Sequence, residues 1–191
     1  MGLAALQVAL TYSGQLPTGT ASPRKHEFLA ERGLDHPIDY RNNDWYEQLM
    51  RMTDERGVDL IIDPLGGSES KRSYKALRST GRLGMFGISS GSANVKGGFW
   101  SKLKLLGTAI KMPLFHPVPL MNKNRGVFGV NLGHLWHEKE KARLWMQQLL
   151  EGVEDGWLNP HVDATFTYQN VADAHRYIEN RKNFGKVILV P

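Results

Sequence analysis

Small and hydroxyl-bearing residues collect where apolar, extended runs of this 191-residue chain stop: Gly19-Thr20-Ala21-Ser22, Asp63-Pro64-Leu65-Gly66-Gly67 and Gly87-Ile88-Ser89-Ser90-Gly91. Glycine lets a backbone come close to a nucleotide, and hydroxyls hydrogen-bond phosphate or ribose oxygens. Taken singly, each segment reads as an ordinary turn. Together, at successive strand ends, they read as the rim of a nucleotide site, because an open parallel sheet binds ligands outside the carboxyl ends of its strands. The first of them carries a further clue. A dinucleotide fold that selects NAD places a carboxylate there for the ribose hydroxyls, whereas here Ser22 is followed by Arg24 and Lys25. With no carboxylate to repel a 2′-phosphate and cations beside it, NADP is the expected cofactor. The bland alternative is that Arg24 and Lys25 only solvate a helix.

Other chemistries find little footing. The 7 histidines form neither a Ser-His-Asp arrangement nor a metal spacing; His134-Leu135-Trp136-His137 lacks a surrounding carboxylate pattern and reads as a solvated helix start. No catalytic acid or base and no metal ligand is therefore nominated. The absence of cysteine excludes disulfides, thiolate metal sites and a Cys nucleophile within this chain. The net charge of +5 and pI near 9.5 come from Lys and Arg scattered among Asp and Glu, which argues against nucleic acid and suits a phosphate-rich cofactor. No apolar run approaches the roughly 18 to 20 residues that cross a bilayer, and residues 1–7 do not resemble a secretory leader. A cytoplasmic protein is the expectation.

The elements that must carry these loops alternate. Residues 3–12 read as a buried helix stopped at Ser13-Gly14, and 15–21 as a strand with Pro17 near its start. Ser22-Pro23 opens a helix that runs to Gly33, and 36–40 are extended. A helix over 44–54, a strand over 58–63, a helix over 68–77 and a strand over 81–88 follow. Residues 99–111 read as a basic helix, and Pro113, Pro117 and Pro119 mark an irregular stretch. Then come a strand at 127–131, a helix at 138–151, an extended run at 162–168, a helix at 170–180 and a strand at 186–190. Alternation at this spacing implies an α/β fold with a doubly wound, Rossmann-like parallel sheet. At 41% hydrophobic residues the chain can bury one core with a small annex.

Ser22-Pro23-Arg24-Lys25-His26-Glu27, His36-Pro37-Ile38-Asp39-Tyr40-Arg41, Gly57-Val58-Asp59 with Asp63-Pro64-Leu65-Gly66-Gly67, Phe86-Gly87-Ile88-Ser89-Ser90-Gly91 and Asn183-Phe184-Gly185-Lys186-Val187 resemble, in order, landmarks of the medium-chain dehydrogenase/reductase superfamily. The resemblance covers residues 2–191 and is nearest to the zinc-independent quinone oxidoreductases and the vesicle amine transport protein homologues. It implies NADPH-dependent hydride transfer to a quinone or enone, with the protein mainly positioning cofactor and substrate. It also assigns places along the cofactor. Ser22, Lys25 and Tyr40 fall at the adenosine 2′-phosphate and adenine. Asp63, Leu65, Gly66, Gly87, Ser89 and Ser90 fall along the pyrophosphate and nicotinamide ribose. Phe128 and Asn131 lie beside the nicotinamide, and Lys186 reaches toward the cofactor. Packing for Tyr40, core for Phe128 and an exposed strand position for Lys186 are the competing readings.

The chain departs from that pattern at its start. Of the family's Ala-x-x-Gly-x-x-Gly phosphate turn only the last glycine matches, as Gly2. The resemblance thus implies that residues 1–133 are a dinucleotide-binding domain lacking its first strand. Residues 134–191 are then a connecting helix and a tail that, in relatives, returns to a GroES-like barrel. Loss of a central strand exposes sheet edges, so a homo-oligomer is expected. A non-catalytic nucleotide-binding or interaction module is the second reading. Residues 99–115, with Phe99, Trp100 and Leu103 among Lys102 and Lys104, would be its membrane-facing part. Packing of that stretch on the sheet is preferred, and no membrane partner is expected.

Overall fold

The structure, a computed structural model, describes residues 2–13, 17–42, 44–87 and 113–191. Its elements run α1 (Gly2–Ser13), β1 (Thr18–Ala21), α2 (His26–Ala30), β2 (His36–Asp39), α3 (Trp45–Met52), β3 (Val58–Asp63), α4 (Ser68–Lys75) and β4 (Leu77–Met85), then α5 (Pro117–Lys123), β5 (Gly126–Gly129), α6 (Lys139–Glu154), β6 (Val162–Thr167), α7 (Val171–Glu179) and β7 (Lys186–Val190). A 3-10 turn, Pro23–Lys25, leads into α2; proline suits its first position, where no backbone N–H is needed.

Every strand ladder is parallel. β1 pairs with β2, Ala21 opposite Asp39; β3 pairs with β4 and β4 with β5; β6 pairs with β7. The chain is therefore α/β with parallel pairing, as its alternation implies. It is not one continuous sheet: the ladders form sheets of 2, 3 and 2 strands, ordered β1-β2, β3-β4-β5 and β6-β7. Within their own ladders, β1 and β3 each keep an edge with no strand paired to it among the described residues.

The chain divides into two compact units, Met1–Asn42 with Lys139–Pro191, and Asn43–Glu138. In the first, Leu6, Ala21, Leu34, Ile38, Leu158 and Ala174 are buried, and Phe28 packs its ring against Phe184 and His161, each with centroids 5.0 Å apart. In the second, Leu77 and Leu83 are fully buried beside Ala76, with Leu49 and Met50 of α3 also inside.

Local expectations are corrected in places. α4 stops at Lys75 and β4 begins at Leu77, not at residue 81. Buried Leu77 pairs with Val58, and Thr80, in a left-handed backbone (φ 70°) with its N–H on the Asn124 carbonyl at 2.6 Å, takes up a register shift before Leu60 meets Arg82. The proline-rich stretch is not wholly irregular. Pro117 opens α5, the His116 ring accepts from the Val118 N–H, and Asn124 ends the helix at φ 50°. β5 closes at Gly129, because Asn131 turns its side chain to the Gly133 N–H (3.1 Å) and starts a 3-10 turn. The expected basic helix at 99–111 and the loop at 88–91 lie outside the described residues.

Candidate functional site

In the first unit, the end of β1 and the end of β2 meet the loop between α7 and β7. Ser22 keeps an extended backbone, and its carbonyl accepts the Lys25 N–H at 2.8 Å. This turn aims Arg24 and Lys25 at the 181–184 loop. Arg24 donates to the Arg181 and Lys182 carbonyls at 3.0 and 2.9 Å, and its guanidinium carbon lies 4.7 Å from the centre of the Phe184 ring. The Lys25 ammonium donates to the Asn183 carbonyl. Arg181, in a left-handed backbone, donates to the Tyr40 hydroxyl at 3.3 Å. Of Ser22, Lys25 and Tyr40, nominated as the adenosine-end set, Lys25 and Tyr40 are thus joined through the 181–184 loop, and Ser22 adjoins Lys25 through its backbone carbonyl.

The electrostatics of this corner favour an anion. Burial lowers the Lys25 pKa from 10.5, the Arg24 charge lowers it further, Asp163 raises it, and Arg181 lowers it again. Asp163 is already engaged by the Tyr177 hydroxyl at 2.9 Å. Asp39, at the end of β2, is held by Arg41 through contacts of 3.0 to 3.2 Å, and that hydrogen bonding keeps its carboxyl below the ordinary value. An ammonium has three donors and Lys25 spends one on Asn183. A phosphate dianion fits here, since it would accept the remaining donors and offset the mutual repulsion of Arg24, Lys25 and Arg181. Lys186 stands exposed at the start of β7, its N–H on the His161 carbonyl at 2.8 Å, and makes no hydrogen bond to this corner among the described residues.

In the second unit, the loops after β3 and β4 come together. The Asp63 carboxylate, 3% exposed, is turned back on its own loop: it accepts from the Leu65 N–H at 2.7 Å, the Gly66 N–H at 3.2 Å and the Ser70 hydroxyl at 2.8 Å. The loop then passes through Gly66 and Gly67 at φ 70° and 64°, which glycine alone adopts cheaply. Leu65 is left half-exposed at the tip. At Gly87 a Cβ would lie 2.8 Å from the Pro64 carbonyl oxygen, so the loops touch only because residue 87 has no side chain. The Phe128 ring covers Gly84 and remains 44% exposed. Asn131 spends its side-chain oxygen on Gly133. Ser89 and Ser90 lie outside the described residues. Among the described residues no group of His, Asp and Glu could hold a metal ion, and no helix is long and apolar enough to cross a membrane.

Residues 32–189 match the zinc-binding dehydrogenase family. The chain belongs to that family. It therefore sits in the medium-chain dehydrogenase/reductase superfamily, whose dehydrogenases use nicotinamide cofactors. The human synaptic vesicle membrane protein VAT-1 homolog is 35% identical over 192 residues, an alignment that takes in 100% of this chain and 48% of that protein. A quinone oxidoreductase from Pseudomonas syringae pv. Tomato DC3000 superposes with a TM-score of 0.76 at 20% identity, covering 100% of this chain and 53% of that one. The CurK enoyl reductase superposes at 0.72 with 24% identity, covering 99% and 51%. Both structures speak for the fold alone. This zinc-binding dehydrogenase chain spans about half the length of the curated relatives it matches.

Arg181 and Ser70 escaped the reading of residues. Ser70 lies inside α4 and acts by tying the helix to Asp63. For Arg181 a signal existed: Arg181-Lys182 stands just before the Asn183-Phe184-Gly185 landmark, a second basic pair to set beside Arg24-Lys25.

Proposed function

We propose that this chain carries the NADPH-binding part of an oxidoreductase of the quinone reductase type, acting on a quinone or another conjugated carbonyl. The observation that carries the reading is the corner where Lys25, Arg181 and Tyr40 converge while the neighbouring carboxylates Asp39 and Asp163 are already engaged. NAD has nothing to place among those cations; NADP has its 2′-phosphate. In this proposal Lys25 and Arg181 donate to the phosphate, the Ser22 hydroxyl adds a hydrogen bond, and the Tyr40 ring lies toward the adenine. Leu65, Gly66 and Gly87, with Ser89 and Ser90, flank the pyrophosphate and nicotinamide ribose. Asp63 shapes that loop from within rather than touching the cofactor. Phe128 and Asn131 border the nicotinamide, and Lys186 supplies a longer-range positive charge. When bound, NADPH supplies the hydride.

The proposal extends to domain roles and metal use. Residues 1–133 serve mainly cofactor binding, and 134–191 include the connecting helix and a tail belonging with a catalytic domain, whose 181–186 segment also borders the cofactor. The chemistry is zinc-independent, as the resemblance to the zinc-independent quinone oxidoreductases implies. Titration calorimetry of this chain with NADPH and NADH, repeated with Lys25→Ala, is the test. NADPH should bind in preference, and the variant should lose about 1 to 3 kcal/mol, the scale of a hydrogen bond to a charged group. Equal affinity for both cofactors, or an unchanged affinity in the variant, refutes the reading.

A further inference from the structure

The cations of α4 are used in two ways. Arg72 reaches Glu47 and Glu69 at 3.7 and 3.6 Å. Lys71 and Lys75 make no ion pair or hydrogen bond among the described residues, although they stand one turn apart on the same helix face, where like charges repel. Lys123, the last residue of α5, is likewise without such a partner among the described residues. Lys75 and Lys123 occupy last turns, where a cation suits the helix dipole. Lys71 stands ahead of that turn, so the dipole does not account for it.

These three lysines border one cleft of about 240 Å³, together with Leu120 and the Tyr74 and Phe115 rings, whose centroids are 5.3 Å apart; no carboxylate lines it. The whole cleft belongs to the compact unit Asn43–Glu138. Arg125 fixes its floor, donating to the Tyr74 carbonyl at 3.1 Å and so tying the turn after α5 to α4. The Tyr74 hydroxyl is closed to water and has no hydrogen-bond partner among the described residues, a state that a nearby acceptor would relieve. α4 leads into β4 and α5 into β5, so the cleft lies toward the ends at which these parallel strands begin, away from the loops after β3 and β4.

We propose that this cleft between α4 and α5 is a second ligand site, separate from the cofactor site, and that it takes a compact aryl carboxylate. Each part of that ligand answers an observation. The arene packs against Tyr74, Phe115 and Leu120, where ring edges and faces meet favourably. The carboxylate accepts from Lys71, Lys75 and Lys123 and offsets their repulsion. The cleft is smaller than the roughly 300 to 1,000 Å³ of drug-sized sites, so the ligand is compact. A neutral quinone has no charge to set among the ammoniums, so this ligand is not the substrate proposed above.

Titration of naphthalene-2-carboxylate into the ¹⁵N-labelled chain, followed by amide chemical shifts, tests this, and the same spectra show whether each variant is folded. Binding should saturate with a dissociation constant below about 1 mM, with shifts gathered at residues 71–75 and 115–123. The uncharged isostere 2-naphthylmethanol and the bare anion acetate should each bind at least about tenfold more weakly. Lys71→Gln with Lys75→Gln, both exposed positions, should raise the dissociation constant by about tenfold or more. Lys139→Gln with Arg143→Gln, an equal loss of charge on α6, should leave it within about twofold. No saturable binding, shifts centred on Lys25 instead, equal affinity for the neutral isostere or for acetate, or equal losses in the two double variants overturns the proposal. None of these readouts depends on a nicotinamide cofactor.

Discussion

Replacing Asp63 separates a carboxylate that builds a loop from one that serves a ligand. Its oxygens accept from Leu65, Gly66 and Ser70 at 2.7, 3.2 and 2.8 Å. In Asp63→Ala the Leu65 N–H, in a half-exposed residue, can turn to water at little cost. The Gly66 N–H and the Ser70 hydroxyl are buried, and each loses its acceptor at about 1 to 3 kcal/mol. These losses share one loop and do not add fully, so a destabilisation of about 2 to 4 kcal/mol is expected. Asp63→Asn keeps one oxygen for the backbone N–H groups, and its amide can donate to a Ser70 hydroxyl that rotates to accept. That variant should lose about 1 kcal/mol. Urea denaturation of the three proteins, compared by midpoint and slope, measures both values. If asparagine costs as much as alanine, or alanine costs under about 1 kcal/mol, the carboxylate does not organise the loop in the way its hydrogen bonds indicate.

Arg181→Ala should weaken NADPH binding roughly 10- to 100-fold, about 1.4 to 2.8 kcal/mol, and leave NADH within about twofold, as read by calorimetry; an equal loss for both cofactors refutes a 2′-phosphate role. Binding of 2′-AMP should fall as pH rises through the Lys25 pKa, which lies below 10.5. The phosphate favours the protonated amine, so binding takes up protons in that window, and Lys25→Arg should carry binding to higher pH; a flat pH profile through the alkaline range counts against Lys25 as the partner. Gly57→Ala should destabilise by about 2 to 4 kcal/mol, since residue 57 sits at φ 79° and a Cβ there would lie 2.3 Å from the Ala76 carbonyl oxygen; a thermal midpoint unchanged from the parent would show that the β3 entry relaxes freely.

What was legible in the residues was what local patterns decide. Val58-Asp59-Leu60-Ile61-Ile62-Asp63 between Gly57 and Pro64 has the bounds of β3, and Lys186–Val190 those of β7. The start of β4 was not legible, because Arg78-Ser79-Thr80 looks like a polar turn and becomes strand only when Leu77 pairs with Val58 far back in the chain. α5 hid behind its prolines, whose positions at the helix start are harmless there. At the site, Lys25 could be found because it follows a strand end directly. Arg181 offered a weaker signal, a basic pair beside the Asn183-Phe184-Gly185 landmark, and its meeting with Tyr40 across a separation of 141 residues is not encoded locally. Asp63 could be read into the loop after β3, but the direction its carboxylate takes depends on the Leu65 and Gly66 N–H groups and the buried Ser70 hydroxyl that it accepts from.

The arrangement of the ladders bears on which part of a dinucleotide this chain can hold unaided. The adenosine corner draws on the ends of β1 and β2 and on the loop before β7, all within one compact unit. A pyrophosphate, by contrast, is held in doubly wound folds by the turn after the first strand and the helix N-terminus behind it, whereas here β1 and β3 each keep an edge with no strand paired to it among the described residues. On the proposed reading, recognition of a 2′-phosphate should be separable from recognition of the pyrophosphate in this chain. If the corner works alone, 2′-AMP retains most of the discrimination between NADPH and NADH, and Lys25→Ala and Arg181→Ala weaken it by the same factor as they weaken NADPH. If 2′-AMP fails to bind while NADPH binds, the corner lends selectivity only to a cofactor anchored elsewhere, and the weight of the site shifts to the loops after β3 and β4.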